Sequence, residues 1–434
     1  MKTNRKTNNQ YGIYIHIPFC ERKCYYCDFL SAPSTKETKE NYVQALMEEI
    51  KGKSSLISKE NVVKTIFFGG GTPSLLSGEQ IDRIMSVLKC YTTWNDNMEI
   101  TIECNPGTVT KETLMSYKNA GINRISFGLQ STNNNMLKTL GRIHTYEQFL
   151  ESYQMAREVG FTNINIDLMS GLPNERKEDW RKDLETIVNL NPPPEHISAY
   201  SLIIEPETPF FNRYASGEHL PEEEEERQMY TMTKQILGAY GYTRYEISNY
   251  AKEGFECIHN TFYWTGVPYI GFGIGASSYW DGYRFSNISN INTYINIWKE
   301  YSLGNVKAED ICFSYKNNKQ LYIKKEPIDT SCVAIKENTQ KVKMQNFCLE
   351  ENVVRVDTHS SMEEFMFLGL RLMKGISKEE FFIRFQKNIK EVYKDVLENL
   401  MNEQLLEENG EYVSLTEKGI DVSNYVMAQF LLDE

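Results

Sequence analysis

Tyr14-Ile15-His16-Ile17-Pro18-Phe19-Cys20-Glu21-Arg22-Lys23-Cys24-Tyr25-Tyr26-Cys27-Asp28-Phe29 is the stretch whose reading decides the fold. An apolar run, patterned as a buried strand, leads directly into three cysteines spaced C-x3-C-x2-C. Three thiolates from one tight loop can hold three irons of a [4Fe–4S] cube, leaving the fourth iron open to a small chelating molecule. Zinc prefers a closed set of four ligands, usually two C-x2-C pairs or nearby His. Here one C-x2-C is present, with no His in the loop. A disulfide framework does not suit an odd count of nine cysteines in a long chain with no secretory signal. Zinc and buried free thiols remain the alternatives to the cluster.

Outward from this stretch, apolar strands alternate with helical patterns. A helix is expected over about Lys36 to Ile50, and then the strand Val62–Phe68 runs into Gly69-Gly70-Gly71-Thr72-Pro73. Further strands are expected at Glu99–Glu103, Arg124–Gly128, Asn163–Asp167 and His196–Leu202, with helices between them. Six strand–helix units argue an α/β fold with a parallel sheet, curled into a (β/α) barrel or part-barrel. Cys20, Gly69 to Thr72, Glu103, Gln130 and Asp167 fall at or just past the carboxyl ends of successive strands. In such barrels that end is the active face.

Several residues there carry chemistry. The glycines let backbone N–H and C=O groups approach a ligand, although a simple tight turn would read the same way. Glu103 and Asp167 end apolar strands, where a carboxylate is costly unless paired or at a barrel mouth. Gln130 offers both donor and acceptor, and Arg142 can fork onto a carboxylate. Farther on, His259-Asn260-Thr261-Phe262-Tyr263-Trp264 sets an imidazole among aromatics. This is either a packed interface or a haem contact, since a neutral imidazole can ligate haem iron.

The cysteine spacing, with the aromatic Tyr26 before the last Cys, resembles the radical S-adenosylmethionine (SAM) superfamily. Tyr-Ile-His-Ile-Pro-Phe-Cys and Cys-Asp-Phe around it resemble the group holding oxygen-independent coproporphyrinogen III oxidase and the HemW-type haem chaperones. The oxidase carries a further Cys where this chain has Phe29, which points to the HemW-type branch. H-N-x-x-Y-W resembles a motif of that branch linked to haem handling. The resemblance implies a six-stranded part-barrel, with the cluster on Cys20, Cys24 and Cys27. It implies SAM contacts at Tyr14, Tyr26 (through its backbone), Gly70, Gly71, Thr72, Glu103, Gln130, Arg142 and Asp167, with Ile203 matching less closely. His259 becomes a candidate haem ligand. The implied chemistry is one-electron cleavage of SAM to methionine and a 5′-deoxyadenosyl radical. The implied function is delivery of haem, as cargo, to an acceptor protein, with an electron donor protein as a further partner. The alternative is the oxidase itself, which decarboxylates a porphyrinogen in porphyrin biosynthesis.

At 434 residues the chain suggests two domains, and 41% hydrophobic residues suffice for a packed core. A formal net charge of −12 argues against a nucleic-acid binder. No apolar run is long enough for a transmembrane helix, and an oxygen-sensitive cluster with reduced thiols fits the cytoplasm. Residues 1 to 10 read as a flexible tail, 11 to 285 as the radical SAM barrel, and 286 to 434 as a smaller, mainly helical, winged-helix-like domain. That domain includes an irregular insertion at about 302–357. Within it, helices are expected at Lys378–Phe385, Ile389–Met401 and Thr416–Leu432, with a hairpin at Asn409-Gly410. The acidic run Glu222 to Glu226 after Pro221 reads as a solvated helix start.

Overall fold

The computed structural model describes residues 9–313 and 349–432. Most of the expected tail and the centre of the expected insertion lie outside the described residues.

Strand β1 (Gln10–Ile17) opens the barrel. Ile13, Ile15 and Ile17 are fully buried, and only His16 and Tyr14 bring polar atoms to its end. Helix α1 (Lys36–Ser55) follows, its first turn capped by Thr35. Then come β2 (Val62–Gly70), α2 (Gly78–Tyr91), β3 (Thr93–Cys104), α3 (Lys111–Asn119) and β4 (Arg124–Gln130). A short α4 (Asn134–Thr139) precedes α5 (Tyr146–Val159), β5 (Ile164–Ser170), α6 (Lys177–Val188) and β6 (His196–Ser201). Capping boxes at Ser77/Gln80 and Thr145/Gln148 start α2 and α5. Gly160, in the left-handed region at φ 95°, ends α5.

These six strands are adjacent and parallel in the order β1 to β6. Their near-continuous apolar character follows from burial on both faces. The sheet is nevertheless larger than the six strands expected. After α7 (Pro209–Tyr214) and α8 (Glu223–Ala239), the short β7 (Thr243–Arg244) and β8 (Asn249–Ala251) add antiparallel pairs beyond β6. Helix α9 (Ile258–Thr265) leads to β9 (Tyr269–Phe272), which pairs parallel with β1 on its other side. β10 (Ser277–Trp280), β11 (Tyr283–Asn287) and β12 (Glu350–Arg355) continue that edge as antiparallel strands. The result is an open, twelve-stranded sheet.

Residue 285, where the sequence suggests a boundary, lies inside β11. The chain beyond it stays with the first core: α10 (Ile291–Ser302) packs Trp298 and Tyr294 against α1, and the short α11 (Ala308–Ile311) follows. A second core begins at Met362. It is built from α12 (Thr358–Gly369), β13 (Ile376–Ser377), α13 (Lys378–Phe385), α14 (Ile389–Val392), α15 (Lys394–Asn402), β14 (Leu406–Asn409), β15 (Tyr412–Leu415), α16 (Glu417–Asp421) and α17 (Ser423–Ala428). Three of its strands form a small antiparallel sheet, with the expected hairpin between β14 and β15. Two expected helices are broken, one at Tyr393 and one at Val422, each with ψ near 30°. Arg284 forks onto Glu364 at 2.8 and 2.9 Å, and the Arg371 guanidinium lies 4.3 Å from the Trp264 ring centre, tying this unit to the barrel and to α9.

Candidate active site

Cys20, Cys24 and Cys27 sit half-buried in the loop after β1, on one wall of a cleft of about 710 Å³ at the carboxyl ends of the strands. Among the described residues, no three acidic, His or Cys side chains converge on a point that would hold a single ion. A cube takes one thiolate per iron corner, so sulfurs spread along a loop suit it. Burial pushes the Cys27 thiol up to about 11, so ionising it falls to a bound metal.

The same cleft is lined by Tyr26, Gly70, Gly71, Thr72, Glu103, Gln130, Arg142 and Asp167. Each arrives for a local reason. Gly71 must be glycine: a Cβ there would stand 2.7 Å from the Phe19 carbonyl oxygen. Gly70 has φ 109°, and a Cβ would meet the His16 ring at 2.5 Å. Gln130 is non-glycine with φ 76°, just past a register shift between β4 and β5. The bulge turns its side chain out of the strand alternation and into the cleft.

The thiols are wired to the cleft wall. The Thr72 hydroxyl donates to Cys20 Sγ and Arg142 Nη1 donates to Cys24 Sγ, both at 3.6 Å. Arg142 Nη2 also donates to Asn105 Oδ1 at 2.8 Å and to the Gly128 carbonyl. Asn105 Nδ2 donates to the Thr72 hydroxyl at 2.8 Å. Asn105 thus braces both neighbours of the sulfurs. The sequence reading missed it, although its place one residue past β3 was a signal.

Glu103 is half-buried and accepts the Gly70 N–H at 3.2 Å. Burial first, then the neighbouring Asp167 charge, push its carboxyl up to about 8. Burial also raises Asp167, against hydrogen bonds from Asn165 and Ser126 that favour its ionised form. Of the two carboxyls, Glu103 is the one pushed far enough up that a neighbouring cation would draw a proton from it.

Tyr14 lies outside this cleft, on adjoining spaces that share Glu103. His16 Nε2–H donates to the Leu30 carbonyl at 2.9 Å, so Nδ1 accepts from the Tyr14 hydroxyl at 3.1 Å. Ile203 is 68% exposed and lines neither the cleft nor these spaces.

His259 is placed elsewhere. Helix α9 packs on β2, its first N–H groups received by Glu99 Oε2 and Oε1 of β3 at 2.9 Å each, from Ile258 and His259. The imidazole is 1% exposed and stacks on Phe67. Its Nδ1 bonds Thr65 Oγ1 and its Nε2 bonds the Tyr263 hydroxyl, each at 2.8 Å. Both ring nitrogens are thus engaged, and burial holds its pKa down at about 3. Iron ligation by His259 would cost one of these bonds.

Comparison with known proteins bears on this geometry. The Radical SAM superfamily model matches residues 14–187, and the HemN C-terminal domain model matches residues 356–422. The heme chaperone HemW of Bacillus subtilis (strain 168) is 34% identical over 420 residues, 96% of this chain and 98% of that protein. The chain belongs to the HemW family of radical SAM proteins. HemW of Lactococcus lactis subsp. lactis (strain IL1403) matches as fully, at 34% over 422 residues, covering 97% of each chain. HemW of Escherichia coli (strain K12) is 42% identical over 266 residues, 61% of this chain and 69% of its own. A solved structure of coproporphyrinogen III oxidase (HemN) from Escherichia coli superposes with a TM-score of 0.75 at 20% identity, covering 97% of this chain and 90% of that one. That likeness is one of fold. Membership of the radical SAM superfamily implies a [4Fe–4S] cluster and SAM, and the thiol-lined cleft has the donor set for both. Among the described residues, no helix is long and apolar enough to cross a membrane.

Proposed function

We propose that this chain is a cytoplasmic haem chaperone that binds a cluster, SAM and haem and passes the haem to an acceptor protein. The observation that carries this reading is the end-to-end match to proteins named heme chaperone HemW. Phe29, 61% exposed beside the cluster loop, agrees with it, because the oxidase branch is expected to carry a further Cys at that position.

In this reading Cys20, Cys24 and Cys27 hold the cluster. Gly70, Gly71, Thr72 and Glu103 receive the amino end of SAM, Gln130 and Arg142 its carboxylate end, and Tyr26 and Asp167 complete the cradle, with Tyr14 backing Glu103 from the adjoining spaces. When bound, the cluster supplies single electrons and SAM a sulfonium able to accept one. The residues of the chain do the rest. Arg142 fixes Cys24 and Asn105 in one fork, so sulfur and cleft wall keep their separation. Glu103 gives up its proton when a cation arrives and returns to the neutral form when the cleft empties.

The test is an anaerobic comparison on the reconstituted chain. Haem transferred to a haem-free acceptor, with no porphyrin product from coproporphyrinogen III, is the expected result. Multiple turnovers of coproporphyrinogen III to protoporphyrinogen would make the chain an oxidase and overturn the reading.

A further inference from the structure

Beneath the cleft, inside the barrel, lies a second space of about 550 Å³. It shares Glu103 and Asp167 with the cleft above. One side is aromatic, from Tyr14, Phe67, His259 and Tyr263. The other is polar, from Ser126, Asn165 and Ser198, and Arg124 is its one lining cation among the described residues.

Arg124 is 2% exposed. Its Nε is buried without a partner, and among the described residues its guanidinium makes no hydrogen bond at all. A buried guanidinium left this way is costly, and native interiors rarely tolerate it without a reason. Acidic groups are near enough to be felt but are engaged elsewhere. Glu99 spends both oxygens on the start of α9. Asp167 spends its own on Asn165 and Ser126. The planar donor fork of Arg124 is therefore charge-balanced at a distance yet empty at contact. Asn260, on the same space, also makes no side-chain hydrogen bond among the described residues. A fork of this kind fits a carboxylate.

We propose that Arg124 anchors a carboxylate arm of the ligand that enters the barrel, and that this ligand is a propionate-bearing tetrapyrrole. Its identification as a tetrapyrrole rests on the haem reading above. The aromatic wall suits a flat apolar body, and the polar side suits the arm. SAM also carries a carboxylate, but the cleft above already offers it Arg142 and Gln130.

The experiment titrates haem, haem dimethyl ester and SAM against the anaerobically reconstituted full chain and its Arg124→Gln variant. Wild type should prefer haem over the diester by about tenfold or more, as expected for a buried charge pair. Arg124→Gln should collapse that preference while SAM affinity stays put. Comparing the preference between wild type and variant cancels unspecific adsorption of the ester. A preference unchanged in the variant overturns the proposal, and SAM loss with an unchanged preference would assign Arg124 to SAM instead. Should Arg124→Gln fail to fold, Arg124→Lys, which keeps the charge but not the fork, should narrow the preference; an unchanged preference there overturns the proposal equally. Haem that fails to bind wild type at all overturns the haem reading itself, and the tetrapyrrole with it.

Discussion

The Glu103 carboxylate accepts the Gly70 N–H at 3.2 Å, joining the ends of β3 and β2 at the centre of the cleft. Burial and then the Asp167 charge push the carboxyl up to about 8, which favours its neutral form at pH 7. Binding a cation to its ionised form must release a proton below that pH. SAM affinity should rise as pH increases toward 8 and level off above, by at most about tenfold per pH unit for one coupled proton. Glu103→Gln should bind SAM weakly with a flat profile. A wild-type profile already flat from pH 6 to 8.5 would show that Glu103 does not meet the cation.

Cys24→Ala should lose bound iron, labile sulfide and the brown absorbance after anaerobic reconstitution. The residue is half-buried in a loop, so the far-ultraviolet circular dichroism should be unchanged. Retained iron and sulfide at wild-type ratio would refute the ligand assignment.

Gln130 holds a left-handed backbone that costs a non-glycine residue on the order of 1 kcal/mol. Gln130→Gly relieves the backbone and deletes the side chain. The variant should be as stable as wild type, within about 1 kcal/mol, yet bind SAM roughly tenfold more weakly. Undiminished SAM binding would mean that the bulge serves the fold alone.

His259→Phe leaves the Thr65 and Tyr263 hydroxyls without their partner, at a cost of about 2 kcal/mol at neutral pH. The folded pKa, near 3, lies below the unfolded value of 6.5. The stabilising contribution of the histidine is therefore fully present above pH 6.5 and is lost as pH falls toward 3. The gap in unfolding free energy between wild type and His259→Phe should shrink across that window. A gap independent of pH would show the imidazole to be solvated rather than buried.

The cluster loop and the strand ends were legible because they are local. C-x3-C-x2-C, the glycine run and the polar residues closing Glu99–Glu103 and Asn163–Asp167 each sit within a few residues of the signal that betrays them. What sequence could not show depends on partners far along the chain. Arg124 opens an ordinary strand pattern, and only the packed barrel shows its fork unused. Glu99 looked like one more strand residue, yet it caps a helix 159 residues later. His259 carried a haem motif, but its nitrogens are filled by Thr65 from β2 and Tyr263 from its own helix. β12 reads Glu-Glu-Asn-Val-Val-Arg, too polar to announce itself as a strand, so the first core extends past residue 285 unannounced.

β1 carries the cluster loop and is flanked by β2 on one side and β9 on the other. As the chain leaves the ribosome, β2 arrives early and Tyr269 of β9 only after the rest of the parallel sheet. Until then β1, which leads into the cluster loop, keeps one bare edge, with N–H and C=O groups open to wrong pairing. Seating of β9 is thus the step in biosynthesis that seals the cluster strand, and truncation upstream of Tyr269 should yield a chain that aggregates rather than a smaller working barrel.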